Sequence, residues 1–159
     1  MRDCYRERGA DISDCGFYRY RLWRIWGDRP LACFVMLNPS TADADVDDAT
    51  IRRCVGFARS WGCGGVMVVN LFAYRATNPK NLVESVDPVG PSNDAFLAAE
   101  VAACNPVVLG WGGHGAKVPR RVEDVLKLIP RPRWCLGITR TGQPKHPLYI
   151  PGDTPLMKV

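Results

Sequence analysis

Four short apolar runs constrain the fold of this chain more than any other feature of its sequence. They occupy residues 32–37, 64–69, 107–110 and 135–138, and each passes directly into a polar or glycine-rich segment. Runs that are apolar on both faces are typical of central strands in a parallel sheet. The three intervals between them carry apolar residues at helical spacing, which predicts strands that alternate with helices.

The remaining segments complete one domain. Residues 17–26 alternate in polarity, which predicts an antiparallel or edge strand. Residues 1–16 are polar and predict a loose N-terminal arm, while the Gly- and Pro-rich residues 139–159 predict an ordered loop. The other predicted elements are strands at 32–37, 65–70, 106–110 and 134–138, and helices at 48–61, 92–102 and 118–129. The predicted fold is therefore α/β, a three-layer α/β/α sandwich with a mostly parallel central sheet, over residues 1–159.

Composition narrows the class of protein. No apolar run is long enough to cross a bilayer, and the N-terminus lacks a secretory signal, so we expect a cytoplasmic protein without a membrane partner. The seven cysteines include no Cys-x-x-Cys pair, so we expect free thiols, no metal site and no cofactor. The net charge of +5 permits an anionic partner such as nucleic acid without requiring one. The oligomeric state stays open.

Two asparagines end predicted strands, and both are candidates for binding a ligand. Asn38 opens the segment Asn38-Pro39-Ser40-Thr41, in which the amide can position water and the hydroxyls can face an anion near the next helix. Asn70 offers one acceptor and two donors, which suits bidentate pairing with the edge of a nucleobase. Each asparagine alone is equally well explained by a turn or a local cap.

Glycine and histidine follow the other two predicted strands. The turn that contains Gly112, Gly113 and His114 allows a ligand to approach the backbone, although its glycine spacing differs from that of a dinucleotide-binding turn. His146 follows the last strand, where an imidazole can donate a hydrogen bond to a developing anion. Ligands bind at the carboxyl ends of strands in open α/β sheets, so the four motifs are predicted to share one site.

Taken in order, these motifs resemble those of the uracil-DNA glycosylase superfamily. Leu37-Asn38-Pro39 looks like its water-activating motif, in which the mismatch-specific branch also uses Asn. Val68-Val69-Asn70 looks like the strand whose terminal Asn reads the base, and residues 107–117 look like the third strand and its turn. His146-Pro147-Leu148 looks like the motif whose His stabilises the departing base and whose loop wedges into the duplex, with Ile150 near the wedge position.

The resemblance implies a glycosylase-like fold and a role for each group. Asn38, aided by an aspartate of the following loop, would orient water and steady a sugar cation; Asp43 is our first choice among Asp43, Asp45, Asp47 and Asp48. Arg52 and Arg53 would contact a phosphate or merely solvate a helix face. The substrate-binding residues are expected to be Pro39, Ser40, Thr41, Asn70, Gly112, Gly113, His114 and Arg52, with Phe72 and Tyr74, beside Phe34 and Tyr149, as candidates to stack on the base.

Nearly the whole chain is also similar to an uncharacterised family of small bacterial and phage proteins. The shared pattern is Leu-Asn-Pro-Ser-Thr-Ala, then Asp-x-Thr-Ile-Arg-Arg, then Asn-Leu-Phe. This resemblance implies no particular activity.

Three functions are open at this point. The first is hydrolysis of the N-glycosidic bond of a base in DNA or RNA, which requires the base to leave the stack. The second is related chemistry on a free or modified nucleoside or nucleotide, favoured by the acidic loop 43–48 and the modest basic charge. The third is a non-catalytic module that binds a base or nucleotide. In all three the partner is nucleic acid or a nucleotide.

Overall fold

The computed structural model describes residues 4–82 and 84–159. Three short 3-10 turns lie at Pro79–Leu82, Gly113–Lys117 and Pro147–Tyr149. In chain order, the strands and helices are β1 (Glu7–Ile12), β2 (Arg19–Ile25), β3 (Leu31–Met36), α1 (Ala49–Ser60), β4 (Gly65–Asn70), α2 (Asn93–Ala103), β5 (Val107–Leu109), α3 (Pro119–Leu128), β6 (Trp134–Cys135) and β7 (Met157–Lys158). The predicted helices, and the strands that correspond to β3, β4 and β5, are confirmed to within one residue at each end.

The strands of the described residues form one sheet in the order β1-β2-β4-β3-β5-β6-β7. The adjacent strands β4, β3, β5 and β6 are parallel. By contrast, β1, β2 and β7 run antiparallel to their neighbours. The sheet is therefore mixed, and the parallel arrangement predicted for most of it is confined to its centre.

Helices cover both faces of this sheet and produce three layers. α1 packs through Ile51 and Phe57 onto the face that carries Phe34. α2 and α3 pack through Leu97 and Val125 onto the opposite face. Each fully buried side chain of this size contributes about 1.5–3 kcal/mol, so the two apolar layers hold the sheet between the helices.

Both ends of the described chain join the sheet, contrary to the sequence prediction. Glu7–Ile12 is a strand, so the expectation of a loose arm over 1–16 is wrong for this segment, while residues 1–3 lie outside the described part. An edge strand pairs with only one neighbouring strand, so its sequence need not alternate between apolar and polar residues. Gly9 of this strand lies against the Trp23 ring in β2, and a Cβ at position 9 would sit 2.2 Å from that ring. The tail 139–159 likewise returns to pair β7 with β6.

The order of the parallel strands creates a crevice at one edge of the sheet. From β3 the chain crosses through α1 to β4, and it then returns past β3 through α2, on the opposite face, to reach β5. The loops that follow β3 and β5 therefore diverge toward opposite faces. Such a switch point at the carboxyl ends of strands is where open α/β sheets bind ligands. Because β2 is antiparallel to β4, its first residue, Arg19, also lies at this edge.

Candidate functional site

A cleft of about 690 Å³ opens at the switch point. Its size lies within the range of small-molecule sites, which is roughly 300–1,000 Å³. The ends of β4 and β3, the start of β2, the turn after β5 and the loop after β6 all contribute to its walls. The polar and charged side chains that line it include Arg19, Asn38, Ser40, Asp48, Thr50, Asn70, His114, Lys145 and His146.

Asn70, at the end of β4, lines the cleft with only 1% of its surface exposed. Neither its Nδ2 nor its Oδ1 has a hydrogen-bond partner among the described residues. Most buried polar groups in proteins are paired, and an unpaired one costs about 1–3 kcal/mol. A ligand that presents both a donor and an acceptor to Asn70 would satisfy the whole amide.

Arg19 forms the wall beside Asn70, because β2 and β4 are neighbours in the sheet. It is 3% exposed; its Nη1 donates to the Ala42 carbonyl at 2.8 Å, whereas its buried Nε has no partner among the described residues. Burial lowers the pKa of Arg19 to about 10, and the Asp48 carboxylate offsets part of that shift. The guanidinium therefore keeps its charge at pH 7 and holds an unused donor.

Asn38 is fixed by the loop that crosses in front of β3. Its Nδ2 donates to the carbonyls of Pro39, at 2.9 Å, and Ala76, at 2.7 Å. Both amide hydrogens are thereby used, and Oδ1 is the atom that Asn38 can offer to the cleft. An acceptor held in one orientation can bind a water hydrogen and direct the lone pairs of that water.

His146 presents a neutral imidazole with a defined tautomer. Its Nδ1 accepts a hydrogen bond from the Leu148 N–H at 3.2 Å, so the ring proton resides on Nε2. Burial lowers the pKa of His146 below its ordinary value of 6.5, with Asp48 opposing that shift. The Nε2–H is thus a neutral donor at pH 7, as required to stabilise negative charge without prior protonation.

Two contacts hold the His146 loop over the sheet. Gly112 adopts a φ of 77°, and a Cβ at this position would lie 3.3 Å from the His146 Cβ. Its N–H donates to the Pro144 carbonyl at 2.9 Å, which joins the turn after β5 to the segment before His146. On the other side, the guanidinium of Arg53 donates to the Ile150 carbonyl, so Arg53 anchors the loop to α1.

The acidic loop turns most of its carboxylates away from the cleft. Asp43 accepts hydrogen bonds from the N–H groups of Asp45 and Val46, which lower its pKa, and it does not line the cleft. Asp47 accepts from the fully buried Arg24 at 2.7 Å. Asp48 is the member that lines the cleft, and it also caps α1 by accepting from Ile51 N–H at 2.9 Å. The loop therefore presents one carboxylate to the site.

Most of the chain matches the model of one protein family. A family model described as "Protein of unknown function (DUF1643)" matches residues 19–148. The chain belongs to that family. The match agrees with the resemblance to an uncharacterised family seen in the sequence, and it spans the cleft from Arg19 to His146. No curated protein and no solved structure matches the chain significantly, so the glycosylase-like fold has no support from a structural neighbour.

Over half of the predicted site residues line the cleft. The predicted residues that line the cleft are Asn38, Ser40, Asn70, Gly112, Gly113, His114 and His146. Those that do not line it are Pro39, Thr41, Asp43, Arg52, Phe72 and Tyr74.

The residues outside the cleft have identifiable positions. Phe72 is buried in the core, and Tyr74 stacks on Phe17 at a centroid distance of 6.3 Å. Arg52 lies on the exposed face of α1 and donates to the Asp47 carbonyl. Of the four aromatic candidates for stacking, Tyr149 alone lines the cleft, with 82% of its surface exposed at the rim. Ile150, expected near a wedge, is largely buried and lines the cleft.

Arg19, Thr50 and Lys145 also line the cleft, although none of them was predicted from the sequence, and so does Asp48, which was one of the four candidate aspartates. Asp48 carried a signal, because it stood among the loop aspartates and before a helix. Arg19 carried none, since its position depends on the antiparallel pairing of β2 with β4.

Within residues 4–82 and 84–159, no group of three or more His, Cys, Asp or Glu side chains is arranged to hold a metal ion. No helix in this part of the chain is long and apolar enough to cross a bilayer.

Proposed function

We propose that the protein recognises a nucleobase and hydrolyses its N-glycosidic bond. The observation that carries this proposal is the unpartnered amide of Asn70 in the wall of the cleft. An amide pairs bidentately with a base edge that offers one donor and one acceptor. Since an unmatched base leaves buried groups unsatisfied, discrimination of about 1–3 kcal/mol against the wrong base is expected.

The groups around Asn70 suit the charges that develop when a glycosidic bond breaks. Positive charge grows on the sugar and negative charge grows on the departing base. His146 donates from Nε2 to the base, while Asn38 Oδ1 orients the attacking water. In this proposal Asp48 replaces Asp43 as the carboxylate that steadies the sugar cation, because Asp48 lines the cleft.

The order of the motifs supports a uracil-DNA glycosylase-like fold as part of this proposal. Asn38 follows β3, Asn70 ends β4, the glycine turn follows β5 and His146 follows β6. In that resemblance the same motifs occur in the same order and supply the same roles. Tyr149 would stack on a base at the mouth of the cleft, where its ring lies 6.1 Å from that of His146.

A free nucleotide is the second candidate substrate, and Arg19 favours it. The acidic loop no longer argues for this choice, because only Asp48 of its four aspartates lines the cleft. Arg19, in contrast, places a buried cation in the inner wall, beyond easy reach of a duplex backbone. A non-catalytic module would bind through the same groups without turnover.

Release of the free base is the test of this proposal. Oligonucleotides with single uracil, mismatched or damaged bases, together with nucleosides and nucleoside monophosphates, are incubated with the protein and analysed by chromatography. We expect release from at least one substrate, lost in Asn38→Ala and His146→Ala but retained in Asn81→Ala, an exposed asparagine outside the cleft. Binding without release in the folded protein would select the non-catalytic module.

A further inference from the structure

Arg19 has no role in the bond-breaking chemistry, yet the fold buries it in the wall of the cleft. The chain contains a direct comparison in Arg24, which is also fully buried. Arg24 pairs with Asp47 at 2.7 Å and donates to backbone carbonyls from both terminal nitrogens. Arg19 forms no ion pair with the described residues, and its Nε is left without a partner. Arg24 is therefore neutralised by a carboxylate and saturated by the protein, whereas Arg19 has no carboxylate partner among the described residues and keeps an unused donor.

The first turn of α1 faces the same part of the cleft. Asp48, Thr50 and Ile51 all line it, and the Asp48 carboxylate uses only the Ile51 N–H. The N–H groups of Ala49 and Thr50 have no partner among the described residues, as expected for the first turn of a helix. A helix N-terminus favours anions because its free N–H groups point outward along the macrodipole.

These observations indicate which chemical group binds in this part of the cleft. We infer that the phosphate of a nucleotide binds between Arg19 and the first turn of α1, next to the base held by Asn70. The inference rests on the proposed function and narrows its substrate to a nucleoside phosphate. Arginine and a helix N-terminus together supply a planar fork of donors and free N–H groups, the combination that recognises phosphate oxygens.

Asp48 is the charge that opposes an anion at this position. A helix N-terminus carries roughly +0.5 elementary charge, and Arg19 adds a full positive charge, so their sum exceeds the single negative charge of Asp48. Lys145 lines the cleft as well and adds a further positive charge. The subsite is therefore net positive, and Asp48 weakens phosphate binding without preventing it.

The position of Arg19 also selects the form of the nucleotide. The side chain is 3% exposed, so the phosphate must enter the cleft rather than pass along its mouth. A free nucleoside monophosphate or a terminal phosphate can do this, whereas an internal phosphodiester of a duplex remains outside.

Calorimetric titration tests the phosphate subsite. The four common nucleosides, their 5′-monophosphates and inorganic phosphate are titrated into the wild-type protein, Arg19→Gln and Arg19→Lys. At least one monophosphate should bind about tenfold or more tightly than its nucleoside, as expected for hydrogen bonds to a charged group. Arg19→Gln should abolish this ratio, and Arg19→Lys, which keeps the charge but loses the fork, should retain part of it.

Two further variants make the test specific. Arg29→Gln changes charge equally at an exposed position outside the cleft, and it should keep the wild-type ratio. Asp48→Asn retains a good helix cap while removing the opposing charge, so it should tighten binding of the monophosphate but not of the nucleoside. Because each ratio is measured within one variant, a general loss of stability does not alter it.

The outcomes separate this inference from the proposed function. Monophosphates that bind no more tightly than nucleosides, or an equal loss in Arg19→Gln and Arg29→Gln, would overturn the phosphate subsite. Nucleoside binding that still depends on Asn70 would leave base recognition intact in that case. A 5′-phosphorylated oligonucleotide that outcompetes the free monophosphate would identify the strand terminus, rather than the free nucleotide, as the source of the phosphate.

Discussion

Replacing Asn70 by leucine should make the protein more stable and at the same time abolish ligand binding. The two side chains have the same number of heavy atoms and a similar branched shape, so leucine can replace Asn70 at the end of β4 without creating a large cavity. The substitution removes a buried donor group and a buried acceptor that have no partner in the described residues. Each unpaired group costs about 1–3 kcal/mol, and water in the cleft offsets part of that cost, so we expect a net gain of about 1–3 kcal/mol.

Asn93→Leu is the matched control for this measurement. Asn93 is also fully buried, but its Nδ2 donates to the carbonyls of Asn70, at 3.0 Å, and Leu71, at 3.3 Å. The same substitution there breaks two hydrogen bonds and leaves buried carbonyls with fewer donors. It also removes Asn93 Oδ1, which has no partner among the described residues, and this offsets part of the loss. Asn93→Leu should therefore destabilise the protein by about 1–2 kcal/mol, opposite in sign to Asn70→Leu.

Urea unfolding at pH 7, followed by tryptophan fluorescence and repeated by thermal melting, measures both variants. For a domain of this size, each kcal/mol shifts Tm by about 2–4 °C. We expect Asn70→Leu to melt above the wild type and Asn93→Leu below it. If Asn70→Leu melted as far below the wild type as Asn93→Leu does, Asn70 would be part of the structural core, and its assignment as a ligand-binding group would be wrong.

Three further predictions concern the His146 loop. Gly112→Ala should destabilise the protein by about 1–3 kcal/mol, because its φ of 77° is unfavourable for a side chain, whereas Gly113→Ala should be nearly neutral in the same urea titration. Burial depresses the folded-state pKa of His146, so the wild type should lose stability as the pH falls below 6.5, and His146→Gln should lack this loss in unfolding titrations at pH 7.5 and 5.5. Arg53→Gln should release Ile150 and weaken ligand binding in calorimetry while circular dichroism stays unchanged.

The centre of the fold could be predicted from the sequence, because its signals are local. Strands buried on both faces must be apolar throughout, and β3 and β4 show this directly. The helices could be predicted from the helical spacing of their apolar residues and from polar residues at their starts, such as Asp48, whose carboxylate accepts from Ile51 N–H. The outer strands β1 and β7 could not be predicted, since a polar edge strand or a two-residue strand leaves no periodic pattern.

In the candidate site, too, residues fixed by the local sequence could be predicted, whereas residues whose positions depend on the folded backbone could not. Groups that directly follow a central strand, such as Asn38 and Asn70, could be placed because the strand ends fix their positions. Asp43 could not be distinguished from Asp48 by sequence, since the choice depends on which carboxylate the backbone of the loop turns inward. Arg19 could not be placed at the site from the sequence, because its position depends on the pairing of β2 with β4, which is a long-range property of the sheet.

The most direct test of base recognition is the base preference of Asn70→Asp. Aspartate keeps the shape of the side chain but replaces the donor by a second acceptor. Titration of the four nucleosides and their monophosphates should show that the base preferred by the wild type binds about ten- to a hundredfold more weakly to Asn70→Asp, since a paired donor has become a repelling acceptor. An unchanged preference with unchanged affinity would contradict the claim that Asn70 reads a nucleobase.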